Sequence, residues 1–158
     1  MKWLFTAGLS TLVDTSWTDF TKVKVALYTH GQEKMKLIFK RTGTDRQTFF
    51  QPLNLIDGNY PTIHQTNLSD FEFFSVAGHT RNDSNYIIKR RFSITASHGG
   101  CDGDVGFLVV MDTGTQKGCS YDIHNSYPTF LFSSLPSSQP FVEMPAADTF
   151  VIMGFMEH

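Results

Sequence analysis

Two neighbouring segments alternate hydrophobic and polar residues, and this alternation is the strongest constraint on the fold. In 22–28 and again in 34–39, every second residue is hydrophobic and lysines fill positions between them. A repeat of two places one set of side chains on one face of a strand. The hydrophobic set is Val23, Val25, Leu27, Met35, Leu37 and Phe39. Because His30 and Gly31 supply a turn between the segments, the pattern predicts an antiparallel hairpin.

Further strand-like segments follow at short intervals, separated by Gly, Pro, Asn and Asp. We predict strands at 71–76, 86–94, 105–111, 129–132 and 149–156, with less regular candidates at 3–7 and 47–50. No long segment carries a helical stripe, although 15–20 could form one helical turn. Many short strands with little helix predict an all-β, antiparallel β-sandwich of jelly-roll-like type. The length of 158 residues fits a single domain, 1–158.

Charge and hydropathy exclude several kinds of partner. The formal net charge of −2 lacks the basic footprint that nucleic acid requires. We interpret the short basic run Lys89-Arg90-Arg91 as the solvated face of a strand. No hydrophobic run approaches the ~20 residues of a membrane-spanning helix. Met1–Phe5 resembles the start of a signal peptide, but the apolar segment that it begins ends at Asp14. We therefore expect this segment to be a first strand, in a chain from which any leader has been removed.

The chain has two cysteines, which allow one intramolecular pairing, Cys101 with Cys119. A disulfide there would indicate an oxidising compartment, whereas two free thiols would suit the cytosol. Asn67 and Asn82 each begin an N-glycosylation sequon. These features together predict a secreted, extracellular glycoprotein.

Candidate reactive groups give little support to catalysis. The aspartates Asp102, Asp104 and Asp112 lie near glycines and could bind Ca²⁺, although Asp-Gly is equally typical of tight turns. The six histidines are scattered, which favours isolated surface or turn positions over a metal site. No nucleophile elbow or phosphate-binding loop is present.

Aromatic and polar residues in the predicted loops favour a binding surface. Sugar rings stack on aromatic faces while their hydroxyls bond planar polar groups. The alternative is that each of these aromatic side chains simply packs. The candidate ligand residues are Trp17, Arg46, Asn59, Tyr60, Tyr121, Asp122 and Tyr127.

Several motifs resemble a module found in secreted proteins of corals, anemones and other marine invertebrates. The shared motifs are the stretches 23–28, 42–46, 73–78, 90–92, 98–101, 104–110, 119–122 and 147–150, together with Phe49-Phe50 and Tyr127-Pro128. The resemblance implies an extracellular location, paired cysteines, and neighbours of the EGF-like or fibrinogen-like type. The chain has Phe49, Tyr60, Phe107 and Tyr121 where the module is expected to carry tryptophan.

The sequence therefore predicts an extracellular, non-catalytic recognition module whose first-choice ligand is a glycan. The competing interpretation is a structural or adhesive component of an extracellular matrix that self-associates. A glycoside hydrolase is the third interpretation. The chain has carboxylates, which such an enzyme requires, but no pattern selects two of them as a catalytic pair.

Overall fold

The computed structural model describes residues 17–65, 69, 71–83, 86–113 and 118–156. Within these ranges the chain is mostly strand. The strands are β1 (Lys22–Thr29), β2 (Gln32–Lys40), β3 (Leu55–Gly58), β4 (Phe73–Ser75), β5 (His79–Asp83), β6 (Tyr86–Ser97), β7 (Val105–Thr113), β8 (Thr129–Phe132), β9 (Gln139–Pro140), β10 (Ala146–Ala147) and β11 (Thr149–Phe155). One α-helical turn, α1 (Pro61–Gln65), and short 3-10 turns connect them. No helix in these ranges is long and apolar enough to cross a membrane.

The strands form two antiparallel sheets packed on one another. The smaller sheet has the order β11-β1-β2-β3. The larger follows β10-β8-β7-β6-β4, with β5 also paired to β6 and β9 to β7. The predicted all-β sandwich is confirmed, and β1 and β2 form the predicted hairpin.

The main core lies between the sheets and is rich in phenylalanine. All six hydrophobic residues predicted to face inward from β1 and β2 are buried. The ring of Phe39 lies 5.0 Å from that of Phe50 and 6.3 Å from that of Phe74, which joins the two sheets. A second, smaller cluster contains Val109 and Met111. Since these alternate along β7 with core residues, this second cluster covers the outer face of the larger sheet.

The predicted strand at 47–50 is wrong, because this segment forms a turn. The Asp45 carboxylate accepts hydrogen bonds from the backbone N–H groups of Gln47 and Thr48, both at 2.8 Å. This side chain diverts the backbone from a strand ladder. Phe49 and Phe50 are both buried in the core.

The strand boundaries differ from the pattern in places. The strand predicted at 71–76 is reduced to β4, whereas β6 and β7 run beyond their predicted ends. The sequence pattern did not indicate β3, β5, β9 or β10, which are short or polar. The candidate strand at 3–7 lies outside the described residues, and so does Asn67.

Candidate functional site

The cysteine pair is bonded, as predicted. Cys101 and Cys119 form a disulfide with a Cα–Cα distance of 5.2 Å. Cys101 lies in the turn after β6, and Cys119 precedes the 3-10 turn Ser120–Asp122. The disulfide therefore ties this later segment to the end of the β6–β7 hairpin.

Arg90 is buried beside the disulfide, which corrects its interpretation as part of a solvated basic run. Only 3% of the residue is exposed. Its Nε and Nη2 donate to Asp122 Oδ1 and Oδ2 at 2.8 and 2.7 Å, and its Nη1 donates to Asp104 Oδ2 at 3.1 Å. Its guanidinium carbon lies 4.8 Å from the centre of the Tyr121 ring. Arg90 is thus the centre of a buried ionic cluster formed with Asp104, Asp122 and Tyr121.

The cluster holds two carboxylates against one guanidinium. Burial alone lowers the pKa of Arg90, but its hydrogen bonds to Asp122 and the nearby negative charges raise that pKa on balance. The Tyr121 hydroxyl donates to Asp104 Oδ2. Burial, followed by this hydrogen bond, raises the pKa of Tyr121. Before His98 is considered, the cluster has one more negative than positive charge.

Two histidines lie at the edge of this cluster, in contrast to their predicted isolation. His98 Nδ1 is 2.9 Å from Asp104 Oδ1. This contact is off the hydrogen-bond direction, and no other donor in the described ranges reaches that buried oxygen. The rings of His79 and His98 are 4.9 Å apart, and Phe73 packs against both. We call these two residues the histidine pair.

Three of the predicted ligand residues are buried, which is a correction to their expected position on loop surfaces. Tyr60, Tyr121 and Asp122 expose 4% or less of their surface. Tyr60 donates its hydroxyl to the carbonyl of Ser133 at 2.8 Å. These side chains hold segments of the fold together, so a ligand at the surface cannot reach them.

The other predicted ligand residues are more accessible but are not gathered in one place. The hydroxyl of half-buried Tyr127 donates to the Asp122 carbonyl at 2.6 Å. Exposed Asn59 accepts the Lys36 N–H at 2.5 Å. Trp17 is half-buried and donates from Nε1 to the Thr44 carbonyl at 2.7 Å. Arg46 is exposed in the loop after β2.

The three aspartates proposed for calcium do not converge. Asp104 faces Arg90, whereas Asp112 pairs with Arg91 at 3.0 Å. Successive strand residues point to opposite faces, so the two arginines hold these carboxylates apart. Asp102 is exposed in the turn. Across the described part of the chain, no three His, Cys, Asp or Glu side chains form a metal-binding group.

The outer face of the smaller sheet is strongly basic. β1, β2, β3 and β11 contain five lysines, one glutamate and one aspartate, a formal charge of +3 in a chain whose total is −2. Two of the lysines have acidic partners: Lys24 pairs with Glu33, and Lys36 lies 3.2 Å from Asp57. Lys34 lies at the turn end of this face, whereas Lys22 and Lys40 lie together at its opposite end.

That end brings cations and an aromatic ring together from three strands. Lys22 lies opposite Lys40 across the β1–β2 pair and opposite Phe155 across the β1–β11 pair. Residues opposed in register point to the same face, and 43% of Phe155 is exposed. We call Lys22, Lys40 and Phe155 the cationic row. The alternation of 22–40 already placed the lysines outward, but only the pairing of β1 with β11 reveals Phe155 beside them.

A third cation and a second aromatic ring lie next to the cationic row. The Arg41 N–H donates to the Thr21 carbonyl at 2.9 Å, so Arg41 is held at the same sheet end. Its guanidinium carbon is 6.0 Å from the centre of the Trp17 ring. The structure thus places one predicted ligand residue, Trp17, near the basic end of the smaller sheet, where its ring packs against that of buried Phe49 at a centroid distance of 5.4 Å.

Comparison of the chain with known protein families, curated proteins and solved structures finds no match.

Proposed function

We propose that the protein is an extracellular, non-catalytic recognition module that binds an anionic glycan at the cationic row. The observation that carries this proposal is the register that sets Lys40, Lys22 and Phe155 side by side across β2, β1 and β11. An exposed aromatic ring next to two ammonium groups matches a sugar ring that carries sulfate or carboxylate groups. The ring would stack on Phe155 while the lysines bind the acidic groups.

A third cation lies at the same end of the smaller sheet, because the Arg41 backbone N–H donates to the Thr21 carbonyl at 2.9 Å. The resemblance to marine-invertebrate modules, the disulfide and the exposed Asn82 support the extracellular part of the proposal.

The binding test is a glycan array that contains sulfated, carboxylated and neutral glycans, read with and without EDTA. We expect the acidic glycans to bind, EDTA to leave the signal unchanged, and added salt to weaken it because salt screens exposed charges. Binding only to neutral glycans, to none, or only without EDTA would contradict the proposed mode.

Single substitutions locate the site. Lys22→Gln and Lys40→Gln each remove a charge-assisted hydrogen bond of about 1.5–3 kcal/mol, so we expect affinity to fall roughly tenfold or more. Phe155→Leu keeps a hydrophobic side chain but removes the flat ring, and it should also weaken binding. Lys34→Gln is the matched control, because it removes the same charge from the opposite end of β2.

Self-association is the second candidate, and one observation favours it. β3 forms an edge of the smaller sheet, and next to this edge 68% of Leu53 and 49% of Ile56 are exposed. Exposed edge strands with hydrophobic residues can pair with another chain. Light scattering over a concentration series tests this alternative, which predicts an apparent mass that increases with concentration.

The hydrolase interpretation gains no support from the buried cluster. A glycosidase directs two carboxyl groups at its substrate. Asp104 and Asp122, the carboxylates brought together here, are buried and face Arg90.

A further inference from the structure

We propose that the histidine pair, His79 and His98, binds a divalent transition-metal ion such as Zn²⁺, with Asp104 orienting His98. This site is separate from the cationic row. It lies on the larger sheet beside the disulfide, and it does not depend on the proposed glycan binding.

The His98 ring lies against a buried carboxylate. Its Nδ1 is 2.9 Å from Asp104 Oδ1, an oxygen that accepts no hydrogen bond from the described residues. Because Nδ1 is the nitrogen next to the carboxylate, Nε2 is the one through which a metal would bind. A histidine that ligates a metal almost always directs its other nitrogen toward a carboxylate, a carbonyl or water. Asp104 supplies such a partner for His98.

The His79 ring lies next to the His98 ring. The centres of the two imidazoles are 4.9 Å apart with an angle of 42° between the planes. Two imidazoles this close can share one ion.

The buried ionic cluster places formal negative charge beside the histidine pair. Asp104 and Asp122 outnumber Arg90, so the cluster next to the histidine pair carries an excess of one negative charge. A divalent cation bound by the pair would be attracted to this excess. Phe73 contacts both rings, at 5.2 and 5.9 Å, and limits their movement.

The described residues supply two histidine ligands and no third. The remaining coordination positions would be taken by water or by a group on a partner molecule. Open positions of this kind distinguish such a site from a closed structural zinc site.

The experiment is a titration of the full chain, first stripped with EDTA and dialysed, with ZnCl₂ in a calorimeter. We expect one zinc ion per chain, with binding lost in His79→Gln and in His98→Gln. His30→Asn is the matched control, because it removes an exposed histidine from the β1–β2 turn, and Asn tolerates the positive φ of that position. Circular dichroism would establish that each variant is folded.

A second variant tests the role of Asp104 as a positioning residue. Asp104→Asn should weaken zinc binding about 10–100-fold. Because Asp104 is buried, its substitution can also disturb the fold. The NMR signals of the His79 and His98 rings in the unaltered chain give an independent readout, and zinc should shift both sets of signals. Absence of zinc binding by the unaltered chain, binding unchanged in His79→Gln and His98→Gln, or shifts confined to other histidines would overturn the proposal.

Discussion

At the scale of single residues, partners far along the chain determine where Arg90 lies. Lys89, Arg90 and Arg91 are consecutive in β6, but of the three only Arg90 is buried. The difference arises from partners far along the chain, since Asp104 and Asp122 lie 14 and 32 residues away. A buried arginine needs such partners because an unpaired charge in the interior is very costly.

Asp122→Ala should destabilise the protein strongly. The substitution leaves Arg90 buried without its bidentate partner, which typically costs about 3–5 kcal/mol. Asp112→Ala is the control, because it removes a carboxylate from the half-exposed Arg91–Asp112 pair and should cost about 1 kcal/mol or less. Urea unfolding of both variants gives the comparison, and equal losses would contradict a structural role for the cluster.

At the scale of elements, the alternating strands were predictable because burial imposes their period of two. β1, β2, β7, β8 and β11 all have hydrophobic residues on a core-facing side. The turn at Asp45 was not predictable from alternation, because one side chain decides the backbone path there. The cationic row was not predictable because it depends on the pairing of β1 with β11, which are remote in sequence. The histidine pair depends on β5, a polar strand that the alternation did not indicate, and on its pairing with β6.

The close approach of β6 and β7 at Gly106 leads to a prediction for this pair of strands. A Cβ at this position would lie 2.3 Å from the Ile94 carbonyl oxygen and 2.7 Å from the Phe141 ring. Gly106→Ala should therefore destabilise the protein by about 1–3 kcal/mol, the usual cost of overpacking. Gly99→Ala, where the nearest atom would be 3.3 Å away, should cost less in the same thermal unfolding measurement.

At the scale of the whole molecule, the two sheets have different outer faces. The smaller sheet presents lysines and Phe155 on its outer face. The larger sheet is covered by a second hydrophobic cluster that includes Cys119, Tyr121 and Phe141. The disulfide bonds Cys119 of this cluster to Cys101 in the turn after β6. It therefore stabilises the side of the molecule that faces away from the cationic row.

Removal of the disulfide should therefore separate stability from glycan binding. The double substitution Cys101→Ser with Cys119→Ser opens a loop whose ends are 18 residues apart, which costs about 3 kcal/mol in the chain-entropy model. We expect a lower free energy of unfolding but unchanged affinity for an acidic polysaccharide at a temperature where the variant is folded. Loss of binding in the folded variant would place the ligand near the disulfide instead.

The pairing of β1 with β11 has a consequence for synthesis of the chain. β1 and β2 are neighbours in sequence and can pair as soon as both are made, but the other edge of β1 is completed by residues more than a hundred positions further along the chain. During translation that edge is open to pairing with other chains. The smaller sheet is therefore completed only after β11 has been made. Until then, the lysines of the β1–β2 hairpin discourage its pairing with strands of other chains.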